Sequence, residues 1–315
     1  MPDPHASLLP RDPLAGDSEP LTLVLATPGG GQFELLCVLP PAPRRLLYWL
    51  PAMGMPARHY LPFAEALAAR GVGVVLHEWR GIGSSNRRAG RHQNWGYREL
   101  LQEDLAVGLA TLRQRWPQAA CSVGGHSLGG QLGALLASLH PGVFDSFVLV
   151  ASGSPYWRKF RRGWLIGLVM LLAPMLAQLC GYLPGRRLGF AGNEARGVIA
   201  DWTRSGRTGK YDANGVGRDL EQALAALRLP TLALNLCDDW LAPAASLDWL
   251  LDKLGPASRT SIMLTAQDLG EHPADHFSWM KTPAPLAARI ADWLDGGCEA
   301  PGLRDDAGQL RDAGA

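Results

Sequence analysis

The stretch ACSVGGHSLGGQLGALLASLH, residues 120–140, decides how this chain is read. Its first six residues have the apolar character of a strand and residues 128–139 read as a helix. Between them Gly125, His126, Ser127, Leu128 and Gly129 stand in the order Gly-x-Ser-x-Gly. Placed between a strand and a helix, that pattern marks a nucleophile elbow. Ser127 must occupy a tight turn with strained dihedral angles, and a side chain at 125 or 129 would collide with the adjoining strand or helix. Glycine removes both collisions. Leu128 opens the helix, where its N–H lacks an intrahelical partner and can receive a developing oxyanion, helped by the helix dipole. His126 reads as a packed polar residue directed into the structure, and His140 as a cap on the carbonyl end of the helix.

Working outward, LTLVLA and QFELLCVL within residues 21–39 flank Pro28, Gly29, Gly30 and Gly31, the signature of a hairpin. Strand-like runs then alternate with helical stretches: LLYWL at 46–50, a helix near 59–70, VGVVLH at 72–77, a helix near 97–115, and DSFVLVAS at 145–152 after the elbow helix. Alternation of this kind predicts crossover units and a mostly parallel sheet. Residues 155–217 contain no clear strand and read as a helical cap or lid inserted into the sheet. The rhythm resumes with TLALNL at 231–236 and TSIMLT at 260–265 and closes with a helix near 284–296. The expected organisation is a flexible lead-in at 1–19, a core formed by 20–154 and 218–296, the insertion at 155–217, and a loose tail at 297–315.

Composition narrows the classes. The 315 residues are 47% hydrophobic and 19% charged, with 30 Lys+Arg against 29 Asp+Glu, a balance that excludes a disordered chain and argues against a nucleic-acid partner. Cys37, Cys121, Cys180, Cys237 and Cys298 are odd in number, widely spaced and free of zinc-type spacing, which fits a reducing, cytoplasmic compartment. The proline-rich first twenty residues lack the apolar run of a signal peptide.

Inside the insertion, WLIGLVMLLAPMLAQLC at 164–180 carries no charge and follows Arg158, Lys159, Arg161 and Arg162. Its length approaches the roughly 18–20 residues of a membrane span. The expectation is a buried or lid helix interrupted by Pro174, with peripheral membrane contact through 158–180 as the alternative. Spanning is disfavoured because the flanking strands must reunite on one side.

Five stretches carry a resemblance: PAMGMPARHY at 51–60, EWRGIGSS at 78–85, GHSLGG at 125–130, DDWLAP at 238–243 and HFSWM at 276–280. Together they resemble the α/β-hydrolases, and within them the bacterial serine aminopeptidase/lysophospholipase-like group. The resemblance implies an α/β-hydrolase fold, a mostly parallel sheet opened by an N-terminal antiparallel hairpin, with a helical cap insertion. It also implies a catalytic Ser, Asp and His in that chain order. Asp238 and Asp239 both follow the strand at 231–236; the resemblance favours Asp239, which precedes Pro243 at the family's usual distance, and leaves Asp238 as the alternate. Of the two histidines after the strand at 260–265, His276 begins a family-like His-Phe stretch, whereas His272, beside Glu271 and Pro273, reads as solvent-facing. The second oxyanion donor should come from the loop at 51–55, where aligning Gly54 with the family's glycine points to the Met55 N–H and keeps Met53 as the alternate. Glu78, Arg80 and the glycines of EWRGIGSS read as bracing, and Trp157, Trp164 and Trp202 as candidates either for an acyl pocket or for core.

The expected activity is cleavage of a carboxylic ester, acyl or lipid-like, through an acyl-enzyme, with Ser127 as nucleophile, His276 as base, Asp239 orienting it, and the Leu128 and Met55 amides as oxyanion hole. No metal or organic cofactor is expected. The alternatives are an acyltransferase and a non-catalytic lipid-binding or partner-docking protein on the same fold.

Overall fold

The computed structural model describes residues 20–296, so the lead-in and the tail lie outside the described residues. Strands β1 (Leu21–Ala26) and β2 (Gln32–Val38) form the antiparallel hairpin. The crossover part follows as β3 (Arg45–Leu50), α1 (Leu61–Ala68), β4 (Val72–His77), α2 (Tyr97–Glu99), α3 (Leu105–Arg115), β5 (Ala120–His126), α4 (Leu128–Leu139) and β6 (Ser146–Val150). The insertion contributes α5 (Gly163–Cys180), β7 (Tyr182–Pro184), α6 (Gly185–Leu188), β8 (Asn193–Ala195) and α7 (Arg196–Thr208). The chain then returns as α8 (Leu220–Ala226), β9 (Thr231–Leu236), α9 (Ala244–Leu251), β10 (Arg259–Leu264) and α10 (Ala284–Asp295).

Eight strands form one sheet in the order β1-β2-β4-β3-β5-β6-β9-β10, with β2 antiparallel to both its neighbours and every other pair parallel. The central strands are apolar on both faces because helices cover both, the usual condition of a parallel sheet. Side-chain alternation along β3 shows this directly. Leu47 and Trp49 point into a core with Phe63 and Leu67 of α1 and Ile290 of α10, whereas Tyr48 and Leu50 point into a second core with Leu109 of α3 and Leu132 and Leu135 of α4.

The insertion departs from the expectation in two ways. It contains a short antiparallel pair, β7 with β8, whose three-residue strands are too brief to show a period in sequence. And α5 is neither core nor interrupted: it runs unbroken through Pro174, with only Met170, Ala173 and Ala177 buried. These small or flexible side chains let α5 lie against α7, where a Cβ on Gly206 would stand 2.4 Å from Met170 Sδ.

The helix survives its proline for a specific reason. Pro174 has no N–H to give to the carbonyl of Met170, four residues earlier, and Met170 is buried. The Arg207 guanidinium of α7 donates to that carbonyl instead, at 2.7 Å. Arg207→Ala should therefore destabilise the protein by about 1.5–3 kcal/mol in urea unfolding, the cost of stranding a buried acceptor. Adding Pro174→Ala, which restores the intrahelical donor, should recover most of that loss. Two additive destabilisations would separate Arg207 from the proline.

Candidate active site

Ser127 sits between β5 and α4 with φ 54° and ψ −121°, a left-handed conformation that costs a residue bearing a Cβ about 1–3 kcal/mol. The surrounding backbone holds it there: its N–H donates to Val150 C=O at 3.2 Å, and its own carbonyl accepts from Ser152 Oγ at 2.7 Å. The elbow glycines answer close approaches. A Cβ on Gly125 would fall 2.3 Å from the Gly129 carbonyl carbon, and one on Gly129 would fall 1.9 Å from Leu50 O.

The loop after β9 and the loop after β10 bring Asp239 and His276 together, at 2.7 Å between Oδ2 and Nδ1, with both side chains almost completely withdrawn from solvent. The other Asp239 oxygen accepts from the N–H groups of Leu241 (2.8 Å) and Ala242 (3.0 Å), so the carboxylate is fixed at both ends. An acceptor at Nδ1 assigns the ring proton there and leaves Nε2 as the basic nitrogen. The His276 ring lies 4.7 Å from that of His126, the residue before Ser127, which places the imidazole at the elbow. Asp238 and His272 are exposed and form no part of this arrangement.

One expectation about the oxyanion loop is corrected. The Met55 N–H is engaged in a turn, donating to Ala52 C=O at 3.1 Å. The Met53 N–H has no partner among the described residues, nor does that of Leu128 at the start of α4. Residue type could not have distinguished these; Gly54, at φ 75°, closes the turn that takes Met55 out of use and leaves Met53 available.

A family model described as serine aminopeptidase, S33 matches residues 41–266. The chain belongs to this family of α/β-hydrolases. Over 205 residues it is 27% identical to RutD of Pantoea ananatis (strain LMG 20103), a protein whose name assigns it provisionally to carbamate hydrolysis; the match spans 62% of this chain and 68% of RutD. Among solved structures, a membrane phospholipase A described as a bacterial virulence factor aligns over 90% of this chain and 88% of its own, at TM-score 0.59 and 18% identity. The monoacylglycerol lipase of Paleococcus ferrophilus aligns over 84% of this chain and 100% of its own, at TM-score 0.58 and 15% identity. These two structures share the fold.

In this S33-family chain the elbow is tied to the oxyanion loop by groups that no motif marks. Ala52 N–H donates to Tyr60 Oη at 2.9 Å, and Tyr60 Oη lies 2.8 Å from His126 Nδ1. The direction of the Tyr60–His126 bond is set by the His126 tautomer. Burial, and then the neighbouring His276, hold the His126 pKa well below the usual imidazole range, so that ring stays neutral. The EWRGIGSS stretch braces as expected: Arg80 meets Asp104 through two bonds (2.9 and 2.6 Å) and Glu103 through a third (2.8 Å), while Glu78 accepts from the N–H groups of Ala57 and Ser84.

A cavity opens beside the elbow. Met53, Gly54 and Leu128 line the end nearest Ser127, and Trp79, Trp95, Leu100 and Val198 supply apolar walls, with Arg80 and Glu194 as its polar members. The pocket tryptophans are thus Trp79 and Trp95 rather than Trp157, Trp164 or Trp202; Trp164 is 67% exposed. Glu194, on β8, had no signal in the sequence. One of its oxygens accepts from Gly192 N–H at 3.1 Å, and burial raises its pKa from 4.5 to about 7. The folded state therefore retains this proton where the unfolded chain has lost it. The associated stability is fully present below pH 4.5 and lost as pH rises through about 7, by up to about 3 kcal/mol. Glu194→Gln should flatten the pH dependence of urea unfolding over that window. An unchanged slope would show that Glu194 ionises freely.

Proposed function

We propose that this chain is a serine hydrolase that cleaves carboxylic esters through an acyl-enzyme. The observation that carries the reading is the buried His276–Asp239 contact at an elbow whose serine is held at positive φ. Ser127 Oγ attacks the ester carbonyl carbon as its proton passes to His276 Nε2, and Asp239 steadies the resulting imidazolium. The tetrahedral oxyanion is received by the Leu128 and Met53 N–H groups. Collapse breaks the bond to the alcohol oxygen, which leaves with the proton from His276. Water, deprotonated by His276, then attacks the acyl carbon and restores Ser127. The apolar residues Trp79, Trp95, Leu100 and Val198 beside Met53 and Leu128 favour an apolar acyl group over a charged one.

The test is labelling with a fluorophosphonate, followed by turnover of p-nitrophenyl esters of increasing acyl length. Ser127→Ala should abolish labelling and lower turnover by about 10⁴-fold or more, with little change in Tm. Asp239→Asn should lower kcat by about 10⁴-fold, and Asp238→Asn by only about threefold or less. Wild-type labelling of the Ser127→Ala protein would remove the serine from the mechanism, and the reverse order of the two aspartates would reassign the orienting role.

A further inference from the structure

The outer face of α5 has no partner among the described residues. Trp164, Leu168, Leu171, Met175 and Leu179 are 67, 45, 53, 57 and 73% exposed. Their spacing of four, three, four and four residues forms one stripe along the whole helix. Leu165, Val169 and Leu172 widen it, and Leu188 and Phe190 beyond the helix are exposed as well. Isolated exposed apolar side chains are ordinary, but a continuous apolar band of this length marks an interaction surface.

The charge around the stripe indicates its partner. From Ser146 to Asn193 the sequence contains no Asp or Glu, yet it carries Arg158, Lys159, Arg161 and Arg162 before α5 and Arg186 and Arg187 after it. None of the six forms an ion pair with a carboxylate among the described residues. In a chain whose formal net charge is +1, this places a concentrated positive field at both ends of an apolar helix. An exposed apolar helix face flanked by basic residues, its other face packed on the protein, suits in-plane contact with an anionic lipid interface. Spanning is excluded by the helix's attachments: its inner face packs on α7, Arg207 holds the Met170 carbonyl, and Arg91 donates to Leu179 C=O at 3.1 Å.

We propose that the outer face of α5, with its flanking arginines and Lys159, docks this protein in-plane on an anionic phospholipid bilayer. The apolar stripe enters the acyl boundary while the basic side chains meet phosphate headgroups. The proposal concerns binding alone, so it stands or falls independently of the acyl-enzyme reading.

The experiment is flotation of the full-length protein with vesicles of phosphatidylcholine containing about 30% phosphatidylglycerol, against pure phosphatidylcholine, at about 20 mM and about 500 mM salt. Binding should be at least about tenfold tighter to the anionic vesicles at low salt and should fall steeply at high salt. Leu168→Glu with Met175→Glu should abolish flotation. These positions are exposed, and an unchanged circular dichroism spectrum and Tm check that the fold is kept. Arg161→Glu with Arg162→Glu should weaken binding by about 25-fold or more, at roughly fivefold per basic residue near the surface. Failure to float with anionic vesicles at low salt overturns the proposal. So does wild-type flotation of the Leu168/Met175 variant, or a stable dimer by analytical ultracentrifugation that those substitutions dissolve, which would make a second copy of the chain the occupant of the stripe.

Discussion

The approach of two backbones at the elbow is the constraint on which the candidate site depends. The first turn of α4 lies so close to the end of β3 that a single added carbon at Gly129 would stand 1.9 Å from the Leu50 carbonyl oxygen. No side chain separates the serine turn from the loop after β3. Leu128 and Met53, whose N–H groups have no partner among the described residues, thus line one cavity. Donors fixed in advance need no reorganisation when charge develops, which is what gives them catalytic value in the proposed mechanism. The strain at Ser127 is tolerated because Val150 and Ser152 hold the turn from the neighbouring strand.

The charges near the site are arranged so that few compete with one another. The Asp239 carboxylate is consumed by one imidazole and two backbone amides. His126, packed against His276, is kept neutral by burial and spends its Nδ1 on Tyr60. Arg80 lines the cavity but its guanidinium is already committed to Asp104 and Glu103, so its role there is to brace the floor. Glu194 is the exception, a buried carboxyl that accepts from Gly192 N–H, feels the charge of Arg186, and titrates close to physiological pH.

What could be read from the sequence was what depends on local rules. The central strands follow from apolar runs and Gly125 from a steric demand within the elbow, whereas the demand at Gly129 comes from Leu50 at the end of β3 and was legible only through the motif. Asp239 and His276 were legible through family-like stretches in the loops that follow β9 and β10, three and twelve residues past the strand ends. Met55 was read as having a free amide, yet its N–H closes a turn on Ala52, since whether an amide is free depends on the turn its neighbours adopt and not on which residue bears it. The insertion was the least legible part. Its strands are three residues long, Pro174 is compensated by an arginine 33 positions away, and Glu194 matters only because the fold sets it against Gly54 and Leu128.

The contact between Gly54 and the segment ahead of β8 has a consequence for how such a protein can change over generations. A Cβ on Gly54 would stand 2.0 Å from the Gly192 nitrogen, so the insertion rests directly on the loop that carries the Met53 amide. The insertion therefore shares a boundary with a loop that cannot shift without moving the Met53 amide, the donor assigned to the oxyanion in the proposed mechanism. Under the proposed mechanism, selection or engineering that reshapes the insertion near residues 190–194 acts on turnover and on preference at once. Variation along the outer face of α5, which touches neither, can proceed without that penalty.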